Sequence, residues 1–157
     1  MSQPKTNEEE TGVVVRTLKH SDLEDIIGID AHNFGKPRRD YYRLKLELAM
    51  ADTSVRMSLG AEVNGKLVGF LFGSMFHGDY GLPEPLATLD ALGVHSEFSR
   101  RGVATALWEQ FVTNLKALRV DRIRTQVPWS NWELMTFFHK VGFLPGSHLC
   151  VDRKLEY

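Results

Sequence analysis

Hydrophobic and polar positions alternate with two different periods along this chain, and the switches between them mark out the elements. "GVVVRTLK", Gly12 to Lys19, is β-branched and predicts an opening strand. Ser21-x-x-Glu24 then has the form of a capping box ahead of apolar residues at helical spacing in "SDLEDIIGIDAHNF". The breakers Gly35 and Pro37 introduce "GKPRRDYYRLKLELAM", a stretch of strong helix formers in which Leu44, Leu46 and Leu48 also alternate as in a strand. Two apolar runs in "RMSLGAEVNGKLVGFLFGSMF" meet at Asn64-Gly65, a hairpin signal. "LATLDALGV" predicts the next strand, and Val103, Leu107, Phe111, Leu115 and Leu118 recur on one helical face. "DRIRTQV" follows as a strand and "PWSNWELMTFFHKVGF" as a helix. Ser130 and Glu133 form its capping box, Leu134, Phe137, Phe138 and Val141 its apolar stripe, and Gly142 its left-handed stop. "HLCVDRKLEY" reads as a closing strand. The order predicts an α/β (α+β) class: a mixed central sheet of about six to seven strands flanked by about four helices.

Composition narrows the class. With 157 residues, 43% hydrophobic and 25% charged, residues 12–157 are expected to form one domain, with residues 1–11 as a disordered acidic leader. A net charge of -1 offers no field for nucleic acid or an anionic membrane. No apolar run approaches bilayer length, and "MSQPKTNEEE" lacks a signal-peptide core. Cys150 is the sole cysteine, which excludes an intrachain disulfide and suits a reducing cytoplasm. The six histidines are scattered without zinc-binding spacing, so no metal is expected.

The chemistry begins at "LDALGVHSEFSRRGVATALWEQF", where Ser99-Arg100-Arg101-Gly102 joins a strand to a helix. A helix start leaves four N–H groups unpaired and carries roughly half a positive charge. A glycine there admits a ligand close to the backbone, and two arginines add charge, so the turn suits a phosphate or pyrophosphate. Taken alone, it reads equally as a plain connection with two solvated arginines. Neither G-x-x-x-x-G-K-[ST] nor G-x-G-x-x-G is present.

The frame Ser99-Arg100-Arg101-Gly102-Val103-Ala104 resembles the [QR]-x-x-G-x-[GA] signature of the GCN5-related N-acetyltransferases, with Ser99 in place of the leading Gln or Arg. That family's second signature falls on Asn131, Leu134, Phe137, Phe138, Gly142 and Phe143. The resemblance covers nearly all of the chain after residue 11. It implies acetyl-CoA as co-substrate, held by the backbone at Leu92, Gly93 and Val94, by Ser99, Arg100, Arg101, Gly102, Val103, Ala104 and Thr105, and by Asn131 and Phe138. It also implies direct transfer to the amine of a small molecule or peptide; no nucleic acid or membrane partner is expected, and a homodimer is left open. Asp90, an acid inside an apolar strand, is the candidate general base, against a reading as a solvated or arginine-paired carboxylate; His95 and Glu97 are weaker alternatives. Phe138 stands where many relatives place a proton-donating tyrosine, so a catalytically weak acyl-CoA-binding or sensing module is the competing function. Tyr41, Tyr42 or Ser130 could replace that donor. The first helix–helix connection would form one wall of the acceptor cleft. There Lys36, Arg38, Arg39, Tyr41 and Tyr42 suggest an acceptor with an anionic group beside its amine, against a reading as a solvated helix start.

Overall fold

The computed structural model describes residues 12–51, 57–78, 81 and 83–157, so the expected leader lies outside the described residues. In chain order the elements are β1 (Val13–Thr17), α1 (Leu23–Phe34), α2 (Arg39–Ala51), β2 (Leu59–Val63), β3 (Lys66–Phe76), β4 (Leu86–Val94), α3 (Val103–Ala117), β5 (Ile123–Thr125) and α4 (Trp132–Lys140). Two compact units contain them, one within Met1–Thr125 and the other within Gln126–Tyr157.

In the first unit the sheet runs β1-β2-β3-β4-β5, antiparallel except for the parallel pair β4–β5. The mixed class and the four helices are as predicted, but the sheet has five strands among the described residues, below the expected six to seven. The difference lies partly in "HLCVDRKLEY": residues 148–157 alternate in sequence yet form no strand and are exposed. Alternation specifies a strand only where a sheet edge receives it.

β3 organises the core because it is buried on both faces over Leu67–Phe72. Phe70 and Phe72 face Ile26, Ile27 and Ile29 of α1 and Tyr42 and Leu46 of α2. Gly69 and Gly73 face α3, where a Cβ would meet Val103 at 2.7 Å and Phe111 at 2.5 Å. These glycines let the helix lie close to the sheet. Val103, Leu107, Phe111 and Leu115 are buried as their spacing predicts, each contributing about 1.5–3 kcal/mol of transfer free energy. Leu118 is exposed because α3 ends at Ala117. At the β2–β3 hairpin Asn64 and Gly65 both take positive φ, 51° and 77°, as a two-residue type I′ turn requires.

Neither predicted serine caps its helix; at α1 the N-cap position falls on Asp22, whose side chain makes no cap hydrogen bond to the helix. A 3₁₀ turn, His20–Asp22, precedes α1, and Asp22 Oδ2 accepts the Lys19 N–H at 2.7 Å. Asp22 also receives both terminal guanidinium nitrogens of Arg16, at 2.7 and 2.8 Å. Burial would raise its carboxyl, but the hydrogen bonds from Arg16 and Lys19 outweigh that and hold it below its ordinary value.

In the second unit Asn131 rather than Ser130 caps α4, its Oδ1 accepting the Leu134 N–H at 3.1 Å. The helix ends in a Schellman motif. Gly142, at φ 98°, donates its N–H to the His139 carbonyl at 3.1 Å, and Phe143 donates to Phe138 at 2.9 Å. The Phe138 and Phe143 rings lie 4.9 Å apart, the apolar contact that accompanies this motif.

Candidate active site

Between β4 and α3 the chain passes through a short 3₁₀ turn, Ser96–Phe98, and then Ser99, Arg100, Arg101 and Gly102, all four exposed. Arg100 takes φ 61° and Gly102 φ 80°, left-handed conformations that only glycine adopts without cost. Gly102 caps α3 with no side-chain hydrogen bond, and its carbonyl accepts the Ala106 N–H at 2.9 Å. The N–H groups of Val103, Ala104 and Thr105 therefore begin the helix without a side-chain acceptor over them. The Arg101 guanidinium lies 5.4 Å from the Phe98 ring centroid. Turn, charge and helix start are the features that suit an anion.

The sheet parts beside it. β4 and β5 pair only at Ala87↔Ile123, Thr88↔Arg124 and Leu89↔Thr125, the last reinforced by Thr125 Oγ1 on the Leu89 carbonyl at 2.8 Å. From Asp90 to Val94, β4 keeps β3 on one side and has no strand partner on the other among the described residues. An extended ligand can add along that edge at Leu92, Gly93 and Val94. Gly93 has a second reason to lack a side chain, because a Cβ would meet the Phe70 ring at 2.6 Å. The Val94 carbonyl accepts Asn33 Nδ2 at 3.0 Å.

Asp90 sits where the parting begins. Phe72 pairs with Ala91 and Gly73 with Leu89, so Asp90 is the extra residue of a β-bulge. Its Oδ2 accepts Ser74 Oγ at 2.6 Å and Lys45 Nζ at 2.9 Å, and its Oδ1 accepts Thr88 Oγ1 at 2.7 Å. Asp90 thus pairs with a lysine, not with an arginine of "DRIRTQ". Thr88 shares its face two positions back, a relation visible in the sequence. Lys45 and Ser74 are brought in by packing and left no local signal. The cluster borders a cavity of about 160 Å³ between α2, β3 and β4.

On the first helix–helix connection, α1 ends at Gly35, φ 83°, with exposed Lys36 just beyond it. Arg38 forks onto Asp30, with Nε 2.9 Å from Oδ2, and stacks 4.0 Å from the Phe34 ring centroid. The Asp30 hydrogen bond holds its guanidinium above the ordinary range. Tyr42 donates to the same carboxylate at 2.8 Å; burial, and then Asp30, push its hydroxyl pKa upward. Arg39 forks onto Glu24 at 2.6 and 3.0 Å. Tyr41 lies edge-on to Tyr42, with centroids 4.9 Å apart. Both guanidinium groups are therefore engaged by the chain's own carboxylates.

In the second unit Phe138 is buried, its ring also 5.8 Å from Phe137. Cys150 is exposed and free. Among the described residues no cluster of three or more His, Cys, Asp or Glu is placed to hold a metal, and no helix is long and apolar enough to cross a membrane.

The acetyltransferase (GNAT) family model matches residues 23–143, most of the chain. The chain belongs to the GNAT acetyltransferase family. Solved structures carry the same fold. One is a transcriptional regulator from Bacillus halodurans C-125, with TM-score 0.77 and 17% identity, over 91% of this chain and 99% of that one. A ribosomal-protein-alanine N-acetyltransferase from Brucella melitensis biovar Abortus 2308 aligns with TM-score 0.72 and 19% identity, over 90% of this GNAT chain and 99% of its own. The aminoglycoside N-acetyltransferase AAC(6')-Iy, in complex with CoA, aligns with TM-score 0.72 and 20% identity, over 90% and 94%. At these identities the likeness concerns the fold.

Proposed function

We propose that this GNAT protein transfers an acetyl group from acetyl-CoA directly to the primary amine of a small molecule or a peptide, in the reducing cytoplasm. One observation carries the reading: the unpaired β4 edge at Leu92–Val94 leads toward the uncapped, basic start of α3. An extended amide-bearing arm fits the first and a pyrophosphate the second. Bound acetyl-CoA would supply the thioester whose acetyl group passes to the amine as the CoA thiol departs.

The chain's own residues do the rest. Backbone N–H groups of β4 just past the bulge polarise an acyl oxygen, as in an oxyanion site. An amine must lose its proton to attack, and a lysine-like amine of pKa about 10.4 is overwhelmingly protonated at neutral pH. Asp90 is the group that accepts that proton. A carboxylate has roughly four lone-pair sites, and Lys45, Ser74 and Thr88 occupy three of them. The fourth, on Oδ1, remains for the amine or a bridging water. Phe138 has no proton to give, which a thiol leaving group of pKa about 8.5 tolerates at some cost in rate.

The experiment pairs calorimetric titration of acetyl-CoA with CoA release across a panel of amines. Gly102→Glu places bulk and negative charge against the helix start and is expected to weaken acetyl-CoA at least about 100-fold, near 2.7 kcal/mol. Unchanged affinity would overturn the cradle. Binding without release for any amine would favour the sensing module.

A further inference from the structure

The cavity beside Asp90 has one cation and one anion among the described residues that line it. Lys45 Nζ and Asp90 Oδ2 stand 2.9 Å apart, with side chains only 26% and 16% exposed. The remaining wall mixes apolar Leu48, Met57, Phe72 and Met75 with the hydroxyls of Ser58 and Ser74. Neither charge is saturated. Lys45 carries three N–H donors and spends one on Asp90, and Asp90 keeps one acceptor site on Oδ1. The arginines of the helix–helix connection, Arg38 and Arg39, are held by Asp30 and Glu24 and do not line the cavity.

We infer that Lys45 selects the acceptor: the cavity takes a zwitterion, an apolar α-amino acid whose amine faces Asp90 and whose carboxylate faces Lys45. This rests on the acyl-transfer reading and deepens it. A simple amine would set its ammonium beside Lys45, and a simple acid would set its carboxylate beside Asp90. A ligand with both charges on adjacent groups meets two opposite charges and no like one. The volume, about 160 Å³, is close to the roughly 150 Å³ that houses a benzene ring, so it suits a branched or aromatic side chain rather than a polycyclic substrate. Ser74 and Thr88 fix the Asp90 carboxylate, and the Tyr41 ring centroid lies 5.9 Å from Lys45 Nζ. The reaction balances: the ammonium gives one proton to Asp90, the amine–acetyl bond forms as the thioester C–S bond breaks, CoA leaves as the thiolate, and the nitrogen's second proton reaches that thiolate through solvent.

The test compares L-leucine with 3-methylbutylamine, the same molecule without its carboxylate, as acceptors for acetyl-CoA. The wild type should favour leucine by at least about tenfold in kcat/KM. Lys45→Met should bring that ratio to within about threefold, chiefly through the leucine KM, and Lys45→Arg should restore most of it. Comparing ratios between variants cancels the different basicities of the two amines, and circular dichroism verifies that each variant folds. Calorimetry with CoA present should show leucine binding weakened about tenfold by Lys45→Met. Equal use of both acceptors by the wild type, or a ratio untouched by Lys45→Met, overturns the inference while leaving acyl transfer standing. No turnover of any amine, with leucine still bound through Lys45, overturns acyl transfer and supports the selective cavity.

Discussion

Replacing Arg38 by methionine separates a structural arginine from one that recognises the acceptor. In the folded chain Asp30 is 6% exposed and receives donors from Arg38 and Tyr42. Arg38→Met leaves that carboxylate with the Tyr42 hydroxyl alone. Breaking a buried pair from one side costs about 3–5 kcal/mol. Arg38 is itself 33% exposed, so water can replace part of what it gave, and the lower end applies. Loss of stacking on Phe34 adds about 0.5–1 kcal/mol, while the methionine stem keeps some apolar contact. The expected destabilisation is about 3 kcal/mol. With a urea m-value of about 2 kcal/mol/M, the midpoint falls by about 1.5 M. Asp30→Asn combined with Arg38→Met should lose about 2 kcal/mol less than the sum of the single changes, because the two removals share one interaction. Urea melts of the four proteins measure it. A stability change below about 0.5 kcal/mol, with a tenfold rise in acceptor KM, would refute the reasoning and give Arg38 to the acceptor.

Asp22→Asn should flatten the acid limb of stability. The Asp22 carboxyl is held below its ordinary value of 3.8, so its contribution is present above that pH and is lost as pH falls below it; melting temperatures from pH 3 to 7 read this. Gly93→Ala should cost about 1–3 kcal/mol, because its methyl meets the Phe70 ring at 2.6 Å; a wild-type melting curve would show that the ring yields freely. Asp90→Asn should lower turnover chiefly at low pH, with acetyl-CoA affinity intact; an unaltered pH–rate profile would remove Asp90 from the base role.

What could be read from the chain alone follows how local each determinant is. Asn64-Gly65, the Val103 to Leu115 stripe and the Gly142 stop are written within a few consecutive residues, and the structure has them where expected. Neither serine cap forms, because neighbours compete for the place: Asn131 caps α4 through its side chain, while ahead of α1 a 3₁₀ turn intervenes and Asp22 reaches back to the Lys19 N–H. At the site, the turn before α3 and the acid inside β4 were legible as unusual residues in ordinary elements. The partners of that acid were less so. Lys45 lies 45 positions from Asp90 and on a different element, and Arg38 finds Asp30 across a helix junction. Such pairs exist only after packing. The closing strand was misread for the converse reason, since its alternation is local while a strand requires a neighbour.

The bulge at Asp90 constrains how this sequence can vary in length. Downstream of it, Gly93 must lie under the Phe70 ring; upstream, Leu89 must pair with Gly73, the glycine that makes room for Phe111 of α3. Deleting Asp90 would leave both pairings in place, Ala91 on Phe72 and Leu89 on Gly73, and would remove the bulge and its carboxylate together. A residue inserted between Leu89 and Gly93 finds no such slack: it widens the bulge or slides one half of β4 along β3, bringing Leu92 or Val94 toward the Phe70 ring or turning Leu89 away from the core. The bulge is thus where this strand can shorten by one residue and keep its register, and the residue lost there is the acid.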